Sequence, residues 1–427
     1  MNKGSECYIS YINILKRELV PAMGCTEPIA VAYCAAKARE VLGETPIIVD
    51  ILASGNIIKN VKSVIIPNSG GMRGISAAAA LGILFGKAGK EFEVISDVSN
   101  EEKASLKDRM AEMKITVSPF TDGHILDLKI TVKSEKHEAS VRICKEHTNI
   151  VEIIKDGQIL FEKEHEENSA ECPEADYSLL NIADIFDFAN SVEINDVYEI
   201  IDRQIKYNTA IANEGLTKDY GAKIGQILLL RGDDVRIKAK AYAAAGSDAR
   251  MSGCDMPVII NSGSGNQGMT ASLPVIVYAK HYQKTEEELF RSLVLSNLIT
   301  LHLKQGIGRL SAYCGAVSAG AGAGAGIAYL MTKDLRTINH TLVNALAISS
   351  GIVCDGAKAS CAAKIAMAVE AGIMGYDMFC EDCQFYGGDG LVSKGVEQTI
   401  KNISALGNEG MKQTDLKIIE IMTAMGC

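Results

Sequence analysis

The amino-acid sequence predicts an α+β protein, with a mainly helical catalytic domain and a smaller α/β domain that contains an antiparallel sheet. Three observations predict it. From residue 177 onward, nearly every segment reads as a helix broken by Gly or a short polar loop. Between 114 and 164 the runs KITVSPF, HILDLKITVKS, EASVRICKEH, NIVEIIKDG and QILFEKE have the length and alternation of strands, and Asp156-Gly157 supplies a hairpin turn. With no Trp and only 5% aromatic residues, the cores must be built from Ala, Ile, Leu, Val and Met.

In chain order, helices are expected over 5–20 and 28–43, the second stopping at Gly43. An apolar run at 47–53 has strand length, 74–89 and 101–113 read as helices, and the strand-like runs follow. The acidic segment 163–176 (KEHEENSAECPEAD) reads as a linker or exposed turn. Helices are then expected at 177–207, 220–250, 267–281, 284–304, 308–332, 334–351, 356–374 and 392–426. The expected domains are 1–45, two helices packing on the helical domain; 46–168, the α/β domain; and 169–427, the all-helical domain.

Bulk properties exclude several classes of function. A net charge of −10 without clustered Lys and Arg argues against nucleic acid and anionic membranes as partners. The longest apolar run, AVSAGAGAGAGIAYLM, is too short and too Gly-rich to span a bilayer. The first residues show no apolar signal core, so a cytoplasmic location is expected. Twelve cysteines in such a chain then suggest catalytic or metal-binding roles rather than a disulfide framework.

Chemistry concentrates in a few stretches. PAMGCTEP (21–28) precedes a helix: Thr26 stands where a cap belongs, Glu27 and Pro28 suit the first turn, and Cys25 lies just outside. A thiol there is expected to have a lowered pKa, unless it simply fills a gap in the core. Three Gly/Ser/Asn loops could present amides and hydroxyls to a small anion: SGNIIKN with Ser54 and Asn56, IPNSGGMRG with Asn68, and NSGSGNQG with Ser262, Ser264, Asn266 and Gln267. Arg309 and Lys304 are candidates to pair a substrate carboxylate. GAGAGAG (320–326) lacks the strand context of a dinucleotide site and instead suits two closely approaching helices.

Cys314, in AYCGA, and Cys354 and Cys361, in CDGAKASC, stand at expected helix ends among small neighbours, with room for a bulky cluster. Buried structural cysteines are the alternative. Cys380 and Cys383 form the one CxxC pair and read as surface or structural residues. Cys7, Cys34, Cys144, Cys172 and Cys254 carry no motif, and Cys427 ends the chain in AMGC, where its thiol and carboxylate could mimic free cysteine.

GCTEPIA, NSGSGNQG, AYCGA and CDGAKASC, in that order and spread over nearly the whole chain, resemble the L-cysteine desulfidases, which are similar to iron–sulfur L-serine dehydratase α-chains. The resemblance implies a [4Fe-4S] cluster on Cys314, Cys354 and Cys361. It also implies pyridoxal-phosphate-independent β-elimination of L-cysteine to sulfide, ammonia and pyruvate. On that reading Cys25 or Glu27 removes the Cα proton. Thr26, Ser54, Asn56, Asn68, Ser262, Ser264, Asn266, Gln267 and Arg309 hold the amino acid. The expected partners are L-cysteine and a second copy in a homodimer. The short CDGAKASC spacing and GCTEP, in place of a Ser/His-rich motif, favour the desulfidase over the dehydratase. A serine dehydratase and a non-catalytic amino-acid- or metal-binding protein are the alternatives.

Overall fold

A computed structural model describes residues 1–120, 123–163 and 175–424. Most of the acidic segment 163–176, with Cys172, and the terminal Cys427 lie outside the described residues. Among the described residues the protein is predominantly helical, with one two-stranded and one six-stranded sheet.

The helical half is held by close backbone approach. Helices Gly265–His281, Glu286–Gln305, Gly315–Thr332, Leu335–Ser349 and Cys361–Cys380 share one core. GAGAGAG lies inside Gly315–Thr332, and a Cβ on Gly320 would stand 2.4 Å from the Ala368 carbonyl oxygen. Small residues let the two helices pack closer than larger side chains would.

Several expected helices divide. The stretch 177–207 becomes a 3-10 turn at Tyr177–Leu179 and helices Ile182–Ser191 and Ile194–Thr217. The stretch 220–250 splits into Ile224–Leu229 and Val235–Met251, because Asp234 caps a new start by accepting from the Arg236 amide. The end, expected as one helix over 392–426, is Val396–Ala405, a π turn at Leu406–Gly410 and Lys412–Ala424.

The larger sheet has the order Lys114–Pro119, Ile48–Ala53, Asp127–Lys133, Glu138–Cys144, Ile150–Lys155, Gln158–Glu162. Its pairings are antiparallel except the first, Ile48–Ala53 with Lys114–Pro119, which is parallel. Alternation puts Val49, Ile51, Leu128, Ile130 and Val132 in one core with helices Thr26–Leu42 and Ile75–Phe85. Helix Glu6–Glu18 packs into the helical core, and Thr26–Leu42 buries Ile29, Val31 and Ala35 against the sheet, because its Ala-rich surface is apolar nearly all round.

A short antiparallel pair, Pro21–Met23 with Pro257–Ile259, ties the two halves together. It sets the PAMGCTEP turn beside the NSGSGNQG loop, with the Ile260 amide donating to the Val20 carbonyl at 3.0 Å. Among the described residues, no helix is long and apolar enough to cross a membrane.

Candidate functional site

Four helices begin at one cavity. Their N-caps are Cys25, Ser264, Cys314 and Ser360, and none of these side chains accepts a first-turn amide. Elsewhere Ser99, Thr285 and Asp334 do cap their helices. Ser54, Glu193 and Lys223 also leave their helices without a side-chain cap, but it is the first residues of these four that line one cavity, of about 100 Å³. Free amides and aligned helix dipoles make each such end partly positive, and convergence on one space favours an anion there.

Two side chains sharpen this charge pattern. Arg250, at the end of helix Val235–Met251, is 2% exposed. Its Nη1 donates to Asn266 Oδ1 at 3.1 Å, while Nε and Nη2 meet no acceptor. A Cβ on Gly265 would stand 2.4 Å from that Nε, so the backbone there can pass only as glycine. Lys304 is 3% exposed, and burial lowers its amine to about 8 against the opposing pull of Cys354 and Cys314. Gln267 is also buried and its Oε1 receives no hydrogen bond.

Across the same cavity stands Glu27. Its Oε1 accepts from Asn60 Nδ2 at 3.0 Å and lies 3.7 Å from His147 Nε2. Its Oε2 accepts from Cys25 Sγ at 3.0 Å and Thr26 Oγ1 at 3.3 Å. Burial alone would raise this carboxyl, but His147, Cys25 and the main chain override it and hold it at about 2. The cavity therefore keeps one fixed carboxylate among donors.

Cys25 differs from its sequence reading. It is the N-cap itself, Thr26 is the first helical residue, and the Thr26 hydroxyl donates to Glu27 rather than capping. Burial and the neighbouring Glu27 charge push the Cys25 thiol well up, so it is a proton donor to Glu27 and not a thiolate.

Cys25, Thr26, Glu27, Ser264, Asn266, Gln267, Arg309, Cys314, Cys354 and Cys361 all line the cavity. Arg309, however, is already held by Glu18 at 2.7 and 3.2 Å and by Glu146 at 3.2 Å. Ser262, at φ 51, lines a neighbouring cavity. Ser54, Asn56 and Asn68 are not brought to the site. Ser54 donates to the Ile125 carbonyl, Asn56 to Asp415, and Asn68 to the Ile95 carbonyl. Sequence reasoning missed Arg250, Asn60 and His147. Asn60 ends the SGNIIKN loop already marked in the sequence, and Arg250 had a signal of its own, a charged residue ending the Ala-rich run AYAAAGSDAR.

The cluster assignment requires correction. Cys314, Cys354 and Cys361 face one cavity, but among the described residues no three His, Cys, Asp or Glu side chains are grouped so as to hold a metal ion. Cys314 comes from one segment, and Cys354 and Cys361 from the two ends of another. Cys361 Sγ approaches the Gly356 carbonyl at 3.7 Å. The Lys364 amine, which acts on both Cys314 and Cys361, donates to the Val353 carbonyl at 2.8 Å and to Asp355. Burial pushes Cys314 to about 12 and raises Cys361 too, so both are protonated thiols in this cavity. Both are only half-buried by surface, because what they expose faces the cavity. The [4Fe-4S] centre on these residues is therefore not supported. The iron–sulfur-dependent carbon–sulfur lyase acting on L-cysteine falls with it.

The remaining cysteines divide by burial. Cys34, Cys144 and Cys254 are buried, Cys7 is half-buried, and Cys380 and Cys383 are exposed at and just beyond the end of helix Cys361–Cys380.

Comparison with known proteins places the chain. Residues 89–420 match the family described as serine dehydratase alpha chain. A UPF0597 protein of Desulfitobacterium hafniense (strain Y51) is 56% identical over 99% of this chain and 98% of its own length. One of Lachnoclostridium phytofermentans is 50% identical over 97% and 99%, and one of Treponema denticola 44% over 96% and 97%. The chain belongs to the serine dehydratase α-chain family, in the branch of these UPF0597 proteins.

Proposed function

From that membership and the charges of the cavity, we propose that the protein binds a small α-amino acid of the size of L-serine, with its carboxylate on Arg250. The observation that carries this reading is the buried guanidinium with two free N–H edges, facing a cavity at which four uncapped helices begin. A buried cation without an acceptor is costly, and a carboxylate offers the planar pair of acceptors a guanidinium fits. The volume, about 100 Å³, admits a few waters or one small amino acid and excludes a nucleotide. Titration calorimetry with L-serine tests this. Heat of binding with one site per chain supports it, and neither heat nor thermal stabilisation at millimolar L-serine rejects it.

The family description favours a second reading, dehydrative deamination of the bound amino acid. L-serine would lose its Cα proton and β-hydroxyl as water, and the resulting aminoacrylate would hydrolyse to pyruvate and ammonia. Release of equal amounts of pyruvate and ammonia from L-serine checks it. Binding without either product leaves a receptor.

A further inference from the structure

An anchored carboxylate leaves open what distinguishes an amino acid from other small acids. The cavity holds one buried acceptor with no donor of its own, Oε1 of Gln267, a residue 5% exposed. Gln267 lies in the first turn of the helix Gly265–His281, next to Asn266, whose side chain accepts from Arg250. Arg250 and Gln267 thus lie on one local scaffold, a free donor pair and a free acceptor. Its side chain packs against the Gly315 backbone, where a Cβ would stand 2.6 Å from the Gln267 side-chain carbonyl carbon.

The charged groups around the cavity divide in the same way. Arg250 and Lys304 supply positive charge, and Arg309 is neutralised by Glu18 and Glu146. Glu27 supplies the negative charge, with His147 Nε2 at 3.7 Å and Asn60 at 3.0 Å supporting it from the α/β side. An anion without an amine would satisfy Arg250 and leave Gln267 Oε1 unanswered. A zwitterion answers both.

We infer, building on the amino-acid reading above, that Gln267 Oε1 accepts the ligand's ammonium group, with the Glu27 carboxylate lining the same cavity, and that this makes the site prefer α-amino acids to acids lacking the amine. Sites built to hydrogen-bond a ligand N–H reject analogues that lack it more strongly than apolar pockets reject a missing methylene, because the buried partner is left unpaired.

The test is calorimetry of the full chain with L-serine, glycerate and 3-hydroxypropionate, which share the hydroxymethyl and carboxylate groups and differ at Cα. The expected result is that L-serine binds about a hundredfold more tightly than 3-hydroxypropionate, the scale of one buried charge-assisted bond. Gln267→Met, near in volume but without the carbonyl, should bring the two within about threefold while 3-hydroxypropionate still binds, showing an intact pocket. Gln267→Glu, which keeps the acceptor, should preserve the preference. If no acid binds the unaltered chain, the amino-acid reading itself falls. If all three bind equally, the carboxylate anchor stands and the ammonium assignment is overturned. A Gln267→Met variant that retains the preference also overturns it. Should that variant fail to fold, Gln267→Leu takes its place, with the same loss of preference expected and the same retained preference overturning the assignment.

Discussion

Replacing Arg250 separates binding charge from structural packing. In Arg250→Met the aliphatic stem survives and the guanidinium goes. Two N–H edges, Nε and Nη2, are free for a ligand, while Nη1 is used by Asn266 at 3.1 Å. Hydrogen bonds to charged groups contribute about 1.5–3 kcal/mol each, so losing both costs about 3–6 kcal/mol, or roughly 10²–10⁴ in Kd. Arg250→Lys keeps a charge but loses the planar fork, and should fall between. The assay is calorimetric titration with L-serine, with circular dichroism and a thermal melt confirming that each variant is folded. A folded Arg250→Met that binds L-serine within threefold of the unaltered protein would refute the reasoning, and the four helix ends would then carry the anion unaided.

Three further predictions probe other parts of the molecule. Burial raises the Asp248 carboxyl to about 6, against hydrogen bonds from the amides of Gly225, Ile224 and Ala222. The folded chain holds this proton more tightly than the unfolded one, so stability falls by roughly 3 kcal/mol as pH rises from about 4 to about 6. Asp248→Asn should gain melting temperature relative to the unaltered protein over that interval, and a flat difference would contradict it. Lys59, 1% exposed, pairs with Asp415 at 2.6 Å and so ties the terminal helix Lys412–Ala424 to the α/β half. Asp415→Ala should cost about 3 kcal/mol in urea unfolding by stranding a buried ammonium, and Lys59→Met with Asp415→Leu should recover most of it. Equal stability of single and double variants would count against that pairing. Gly315→Ala places a methyl 2.6 Å from Gln267 and should weaken L-serine binding by about 1–3 kcal/mol while the melting temperature holds within a few degrees. Unchanged affinity would show that Gln267 yields without consequence.

Local signals carried much of the fold. The four alternating runs from Asp127 on form adjacent strands, with Ile48–Ala53 between them and Lys114–Pro119, and Asp156-Gly157 turns between Ile150–Lys155 and Gln158–Glu162, with Asp156 at φ 49 and Gly157 at φ 80. Helix ends were less legible. The helix expected from 308 starts at Gly315, and that expected from 356 starts at Cys361, because the residues before each form the bridge Tyr313–Val353 and the Asp355–Lys358–Lys364 ion cluster. The strand Pro257–Ile259 escaped notice because three residues carry no periodicity.

By itself the sequence determined the fold class, the family resemblance through GCTEPIA, NSGSGNQG, AYCGA and CDGAKASC, and about half of the residues that line the cavity. These are local or patterned properties, readable from neighbours along the chain. Tertiary structure alone decided what those residues can do. It buried Arg250 beside Asn266, set His147 of the α/β half against Glu27, turned Cys25 from an expected thiolate into a protonated donor, and engaged Arg309 with Glu18 and Glu146. Charge state and free hydrogen-bonding capacity depend on burial and on partners far away in sequence. No stretch of residues encodes them until the chain has closed around the site.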